Sequence, residues 1–373
     1  MDPVVVYAAT GYTGRLICAE LAARGVPVVL SGRSPAKLDA LRDALPDGAA
    51  QTAPAALDDP IALRDAAAQG RVIVNCACPF SASGDPVLGA AIAAGAHYLD
   101  TTGEQDWIRR VFEVHDGPLA AAGVGAVPGM AFSHAPGDLL AHLVGAPVAP
   151  ARRLLVAYHV EGFDMTRGTM HSALEQMNGL DVAYEGGTWV SGGNRPRRAF
   201  VTFPAPIGRR QVSRYPVGEV ITVPRHVPAD EVVLRISTVS IAPPAVAPLV
   251  PAMTPALGAL LRSPARGLLD RAIDALPEGP AEEDRGAVRW TIVAGAEGED
   301  GRSASGLAQG PDIYGITAKI VTQAAIEMAA PSYAPVGALA PAQAVDPAGF
   351  LDHLGAFGLT WSVDAPARET VSV

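Results

Sequence analysis

Residues 4–14 read V-V-V-Y-A-A-T-G-Y-T-G. Val4, Val5 and Val6 are a β-branched run of the kind a buried parallel strand needs, and the pattern after the glycines places Leu16, Ile17 and Leu21 on one helical face. The turn between strand and helix holds Gly11 and Gly14. Such glycines let the backbone approach a pyrophosphate and let the helix pack tightly on the sheet, while the unpaired amides of the helix start face the anion. The order predicts the phosphate-binding start of a dinucleotide-binding α/β domain, with Ala9, Thr10, Gly11, Tyr12, Thr13 and Gly14 around the phosphates. Ala8 stands where the spacing G-x-x-G-x-x-G has its first glycine, a replacement by another small residue.

Residues 27–30 (P-V-V-L) make a second short strand, which ends in Ser31, Gly32, Arg33 and Ser34. An acidic residue at this strand end would hydrogen-bond a ribose 2′-hydroxyl and repel a phosphate there. None is present. Arg33 instead offers bidentate, charge-assisted hydrogen bonds to a 2′-phosphate, with Ser31 and Ser34 adding donors, so the expected cofactor is NADP(H). Lys37 lies either over the adenine or phosphate or on the open surface.

The chain has 373 residues, enough for two medium domains with real cores. A net charge of −10 argues against nucleic acid as a partner, because a phosphate backbone is held by clustered positive charge. Cys76 and Cys78 are too close for a usual zinc pair and no second pair accompanies them, so no metal is expected. All three cysteines read as buried thiols of a reducing compartment. The first strand begins almost at the N-terminus, so no signal peptide is expected and a cytoplasmic location is. Residues 236–261 carry no charge but five prolines, which disfavour a spanning helix. That segment reads as a kinked apolar stretch at a substrate entrance, at a subunit interface such as a homodimer's, or against a membrane surface.

Residues 1–127 alternate strand and helix, which predicts a Rossmann-type doubly wound parallel sheet with its ligand off the carboxyl ends of the strands. Residues 128–309 change character. Alternating segments at 154–160, 199–203, 232–236 and 288–293 suggest an inserted α+β domain with an antiparallel sheet. Helices are predicted over 169–177, 257–276, 314–329 and 347–357.

Hydride transfer is the cofactor's chemistry, so a few polar groups rather than a nucleophilic triad are sought. Asn75, Pro79 and Phe80 follow one strand and are placed to wall the nicotinamide end. Tyr98, Asp100, Gly103 and Glu104 follow the next. Glu104 either orients the carboxamide or a substrate ammonium, or caps a helix. His134 is the sharpest proton-donor candidate, expected to project into the cleft between domains, with a structural role as the alternative; Tyr98 is a second candidate. Ser133, His159, Arg167, Thr169 and His171 form a candidate substrate set, with Glu161 beside it, although Thr169 can serve only as a helix cap. Arg195, Arg197, Arg198, Arg209, Arg210 and Arg214 form a local basic stretch that either docks an acidic carrier or is a solvated face.

The strings A-T-G-Y-T-G-R and S-G-R-S-P-A-K-L, G-A-H-Y-L-D-T-T-G-E at 95–104, A-F-S-H-A-P-G-D-L at 131–139, R-G-T-M-H-S at 167–172 and G-A-L-A-P-A at 337–342 together resemble the saccharopine dehydrogenase-like reductases, closest to the branch with trans-acting enoyl reductases. The resemblance implies a nucleotide domain made of residues 1–127 and completed by 310–373, around the inserted domain of 128–309. It also implies an NADPH-dependent reductase of an activated C=C bond in a small-molecule or carrier-bound, secondary-metabolite or lipid-like substrate. Imine (C=N) reduction of an amino-acid conjugate and a non-catalytic NADP(H)-binding scaffold are the alternatives. Ser133 and His134 replace an Asp-Ser pair of that family, and His171 lies inside its G-T-x-x-S element, so the substrate is expected to differ from those of better-known members.

Overall fold

The computed structural model describes residues 2–162, 164–178, 182–191, 199–242, 245–249 and 266–368. The chain divides into two units, Met1–Phe132 with Tyr314–Val345, and Ser133–Ile313 with Asp346–Val373.

The first unit is built on a parallel sheet of β1 (Val4–Tyr7), β2 (Val28–Gly32), β3 (Ala50–Pro54), β4 (Val72–Asn75), β5 (His97–Asp100) and β6 (Gly125–Val127). A short strand, Gly337–Ala338, joins β6 in parallel, and the order across the sheet is Gly337–Ala338, β6, β5, β4, β1, β2, β3. Val4, Val5 and Val6 have no exposed surface, because β1 is paired on both edges and covered on both faces. Strand order reverses between β1 and β4, which puts the ligand crevice at their carboxyl ends. Helices α1 (Tyr12–Ala23), α2 (Pro35–Ala44), α3 (Pro60–Ala67), α4 (Phe80–Ala94), α5 (Gln105–Arg110) and α6 (Asp116–Ala122) connect the strands. A π-helical turn, Val111–His115, separates α5 from α6. The helix Ile313–Ala329 is tied to α1 by ion pairing of Lys319 with Glu20 and by Arg24 donating to Gln323 at 2.9 Å.

The turn from β1 to α1 shows why its glycines are needed. A Cβ on Gly14 would lie 2.5 Å from the Ala8 carbonyl oxygen and 2.9 Å from that of Ala9. Ile17, Cys18 and Leu21 follow on the same face with no exposed surface, each large side chain contributing about 1.5–3 kcal/mol of burial. Ala8 takes the left-handed conformation (φ 57°) that its missing glycine would have adopted without strain.

In the second unit, β7 (Ala151–Glu161), β8 (Val182–Glu185), β9 (Thr188–Ser191), β10 (Ala199–Thr202), β11 (Arg209–Arg214), β12 (Glu231–Ser237), β13 (Arg289–Gly298), β14 (Arg302–Pro311) and the strand Thr360–Val363 share one sheet. The order is β10, β11, β12, β7, β13, β14, Thr360–Val363, with the β8–β9 hairpin joined to β12. β7 and β12 run parallel, so the sheet is mixed rather than wholly antiparallel. Helix α7 (Ala135–Gly145) packs close against one face: a Cβ on Gly306 would meet Val144 at 2.8 Å and Leu140 at 2.9 Å.

Of residues 310–373, Tyr314–Val345 belong to the first unit and the remainder to the second. Beyond Val345, Asp346 caps the helix Pro347–Gly355 through Gly349, and Trp361 and Ser362 pair with β14, where a row of backbone groups awaited a partner. Helix 257–276 is described only over Arg266–Asp274, and residues 243–244 and 250–261 of the apolar segment lie outside the described residues. Among the described residues no helix is long and apolar enough to cross a membrane.

Gly14→Ala is expected to destabilise the protein by about 1–3 kcal/mol through overpacking against the Ala8 carbonyl. Ala8→Gly should instead be neutral or stabilising by up to about 1 kcal/mol, as relief of the left-handed strain outweighs the added unfolded-state freedom. Urea unfolding of the two variants checks both signs.

Candidate functional site

Gly11 precedes α1 with no side chain capping the helix start and no acidic residue in its first turn. A helix start without a side-chain cap or an acidic neighbour favours an anion lying over Ala9, Thr10, Gly11, Tyr12, Thr13 and Gly14. Arg15 turns back onto the Thr10 carbonyl at 2.6 Å, and Tyr12 packs edge-on against Tyr314. At the end of β2, Ser31 is fully buried and its Oγ has no hydrogen-bond partner among the described residues. Arg33 and Lys37 are exposed, and Ser34 stands at the α2 N-cap without its side chain capping the helix. Burial raises the Tyr7 pKa and the neighbouring Arg33 draws it back, which places that positive charge beside the carboxyl end of β1. A glycine cradle, an uncapped helix start, an orphaned hydroxyl and an exposed arginine together fit a dinucleotide carrying a 2′-phosphate.

At the ends of β4 and β5 the expected side chains turn inward. Asn75 is buried, donating to Ser83 Oγ at 3.1 Å and Tyr98 OH at 3.2 Å and accepting from the Ala77 amide at 3.0 Å. Tyr98 has no exposed surface and donates to Asp100 at 2.9 Å. Burial pushes the Asp100 carboxyl up, while the Gly129 amide at 2.8 Å, the Thr102 amide at 3.0 Å and Trp107 Nε1 at 2.7 Å draw it back. Glu104 accepts from the amides of Phe80 at 3.0 Å and Ser81 at 2.9 Å, so it caps α4 rather than its own helix. Gly103 and Phe80 are buried and Pro79 is half-buried. Tyr98 thus belongs to the interior here, a correction to its reading as a proton donor. The cysteine expectation is corrected in part: Cys18 is buried, Cys76 is half-buried and Cys78 is exposed in the loop after β4.

The second unit contains a buried polar network. His134 has no exposed surface, contrary to the expectation that it projects into an open cleft. Its Nδ1 lies 3.2 Å from Glu219 Oε2 and its Nε2 3.3 Å from Thr222 Oγ1. Tyr158 donates to the other oxygen of Glu219, and a Cβ on Gly137 would fall 2.0 Å from the Tyr158 hydroxyl. Thr222 donates to Asp138 at 2.6 Å, His226 Nε2 lies 3.2 Å from the same carboxylate, and His226 Nδ1 lies 3.1 Å from His142 Nδ1. Burial would raise the Asp138 pKa, but His226, then His134 and the Thr222 hydroxyl, hold it at about 2. Glu219, Thr222, His226, His142 and Tyr158 were missed from sequence. Their signal was periodicity: 134, 138 and 142 recur at i, i+4, i+8, and 219, 222 and 226 at i, i+3, i+7.

The remaining candidates have separate partners. His159 is buried beside Glu161 (3.1 Å), Arg167 donates to the Asp274 carbonyl at 3.1 Å, and His171 contacts Asp274 at 3.0 Å and Asp270 at 3.4 Å. Thr166, not Thr169, caps the helix α8 (Arg167–Asn178), accepting from the Thr169 amide at 3.0 Å. Ser133 is half-buried. Arg209 lies over the Phe200 ring at 4.4 Å and Arg214 donates to the Val182 carbonyl; Arg195, Arg197 and Arg198 lie outside the described residues. No metal-ligating cluster occurs among the described residues.

Residues 4–117 match the family described as the saccharopine dehydrogenase NADP binding domain. Over 141 residues, 36% of this chain and 33% of the relative, the chain is 35% identical to a Mycobacterium tuberculosis protein provisionally named a trans-acting enoyl reductase. It is 33% identical over 143 residues, 37% of this chain and 34% of the relative, to a trans-acting enoyl reductase of Mycobacterium ulcerans. The chain thus matches about a third of the length of these relatives. In fold it is similar to the apo saccharopine dehydrogenase (L-Glu forming) of Saccharomyces cerevisiae, with a TM-score of 0.61 and 14% identity, covering 98% of this chain and 100% of that one.

Asp138 has a depressed folded-state pKa, so its stabilisation is present above its unfolded value, about 3.9, and is lost as pH falls through about 2. Unfolding free energy measured by urea across that window should fall in the wild type, and this component should vanish in Asp138→Asn. Asp138→Ala, which leaves His226 and Thr222 without their acceptor, should cost about 3 kcal/mol at neutral pH.

Proposed function

With residues 4–117 forming a saccharopine dehydrogenase-type NADP-binding domain, we propose that the chain is an NADPH-dependent reductase of an activated C=C bond, its substrate an enoyl group on a small molecule or a carrier. The observation that carries the cofactor half is the end of β2, where the unpartnered Ser31 Oγ and the exposed Arg33 stand where an NAD-type carboxylate would be. The likeness of the N-terminal third to trans-acting enoyl reductases supports the C=C half.

When bound, NADPH supplies the hydride. The chain's own residues hold it: the amides at the start of α1 take the pyrophosphate, and the exposed Arg33 takes the 2′-phosphate. Asn75, Tyr98, Asp100 and Glu104 act indirectly, fixing the loops after β4 and β5 that wall the crevice. Because Tyr98 and His134 have no exposed surface, water delivers the proton. Imine reduction of an amino-acid conjugate would call for arginines open to carboxylates. Of the three arginines the sequence offers for that role, Arg152 is paired with Glu297, Arg153 with Glu231, and Arg167 with a backbone carbonyl, so none of these three forms a carboxylate clamp.

In cofactor titrations NADPH should bind more tightly than NADH, and Arg33→Ala should weaken NADPH by about tenfold or more while leaving NADH unchanged. Equal affinities in the wild type would sink the assignment. Steady-state assays should show turnover of enoyl thioesters; turnover of amine plus keto-acid mixtures alone would reverse the reaction class, and tight NADPH binding without any turnover would point to a scaffold. Tyr98→Phe should lose about 1 kcal/mol of stability with kcat unchanged, and a large fall in kcat would return that hydroxyl to the chemistry.

A further inference from the structure

Strand alternation turns Leu154 and Gly306 of the second unit's sheet toward α7 and turns Arg153, Leu155, Val233, Arg235, Gly295 and Ser305 to the other face. On that other face lies a cavity of about 570 Å³. Its lining combines Leu155, Val212 and Val233 with the charged Arg153, Arg235, Glu297 and Asp364, and the strand backbone at Gly295 forms part of its floor. That volume falls in the range of small-molecule sites.

The charges around it are unequally matched. Arg153 is paired with Glu231 at 3.1 Å, Glu297 with Arg152, and Asp364 accepts from Ser305 Oγ at 2.6 Å. Arg235, partly buried, donates only to the Leu234 carbonyl at 2.9 Å, and no carboxylate lies within ion-pair distance of it among the described residues. Register places it directly opposite Arg214. Burial, then Arg214 and Arg153, depress its pKa, while Glu231 and Glu185 act in the opposite sense from farther off. A guanidinium so placed, with donors to spare and like charge beside it, is stabilised by an anion that lies in the cavity.

We propose that this cavity, whose lining shares no residue with the nucleotide-binding set, is a ligand site for a small amphipathic carboxylate whose head group pairs with Arg235 and whose hydrocarbon body lies along Leu155, Val212 and Val233. A single negative charge suits it best. Glu297 and Asp364 on the same lining oppose a phosphate dianion, whereas one guanidinium matches one carboxylate in a bidentate pair.

Gly295 provides a test that does not disturb the fold. A Cβ built on it meets only the Ala304 carbonyl oxygen, at 4.0 Å, so a larger side chain there enters the cavity instead of the core. Isothermal titration of octanoate into the full chain should give saturable one-site binding, with 1-octanol weaker by about tenfold or more for want of the charge. Arg235→Met should weaken octanoate by a similar factor. Gly295→Leu should abolish octanoate binding while keeping the wild-type Tm and NADPH affinity, and it keeps the test valid if the arginine variant fails to fold. Saturating NADPH should leave octanoate affinity unchanged. Absence of saturable binding, equal affinity in Gly295→Leu, or displacement by NADPH would overturn the proposal. So would light scattering that shows a wild-type dimer dissociated by Gly295→Leu, since a second copy of the chain would then occupy this face.

Discussion

The carboxylate of Asp100 lies inside the first unit, where four donors converge on it: the Gly129 and Thr102 amides, the Trp107 indole and the Tyr98 hydroxyl. Burial alone would make a charge there costly, and only such a full set of donors makes it tolerable. Each donor lies on a different piece of the crevice wall: the loop after β6, the loop after β5, helix α5 and β5 itself. Through Tyr98 the network reaches Asn75, and through Asn75 it reaches the amide of Ala77 in the next loop. Trp107 can take its place because Gly84 has no side chain; a Cβ there would lie 2.4 Å from the indole ring. The carboxyl ends of β4 and β5 are thus held in register by one buried carboxyl group, and polar side chains point inward so that backbone can face outward.

That inversion explains what the sequence did and did not reveal about the site. The turn of residues 8–14 was legible because glycine spacing reports backbone geometry, and Gly14 meets the constraint as expected. The β2 end was legible because an absent carboxylate is visible in one residue. Asn75, Tyr98 and Glu104 stood out for their chemistry, but position along a strand does not say which way a side chain turns once a hub such as Asp100 is formed. Alternation marked β7, β10, β12 and part of β13, but not the ten-residue β14, whose R-S-A-S-G-L-A-Q-G-P has few apolar residues. It missed β3, whose A-Q-T-A-P carries little apolar signal because it lies at the sheet edge. The destination of residues 346–368 was also hidden, since the pairing of Thr360–Val363 with β14 is a long-range event with no local mark.

The second unit's polar interior obeys the same principle with different parts. Two short helical stripes, His134, Asp138 and His142 on one side and Glu219, Thr222 and His226 on the other, meet where most proteins would place leucines. A hydrogen-bonded network of this kind tolerates little displacement, because every lost partner leaves a buried polar group unsatisfied. Gly137 is correspondingly fixed by the Tyr158 hydroxyl and Glu219. The network sets the relation of α7 to the segment carrying Glu219, and α7 in turn packs on the sheet whose opposite face holds the cavity.

The chain passes from one unit to the other three times, after Phe132, Ile313 and Val345. Neither unit is therefore a continuous piece of polypeptide, which matters while the protein is being made. A ribosome that has released the first 132 residues has delivered six of the seven strands of the nucleotide sheet, but not Gly337–Ala338 or the partner of Glu20 on Lys319. Until they follow, the nascent nucleotide unit keeps an open strand edge beside β6, and Glu20 has Arg24 but not Lys319 as an ion-pair partner. Vectorial synthesis thus leaves residues 1–132, made before the second unit's segment 133–313, to be completed only after it.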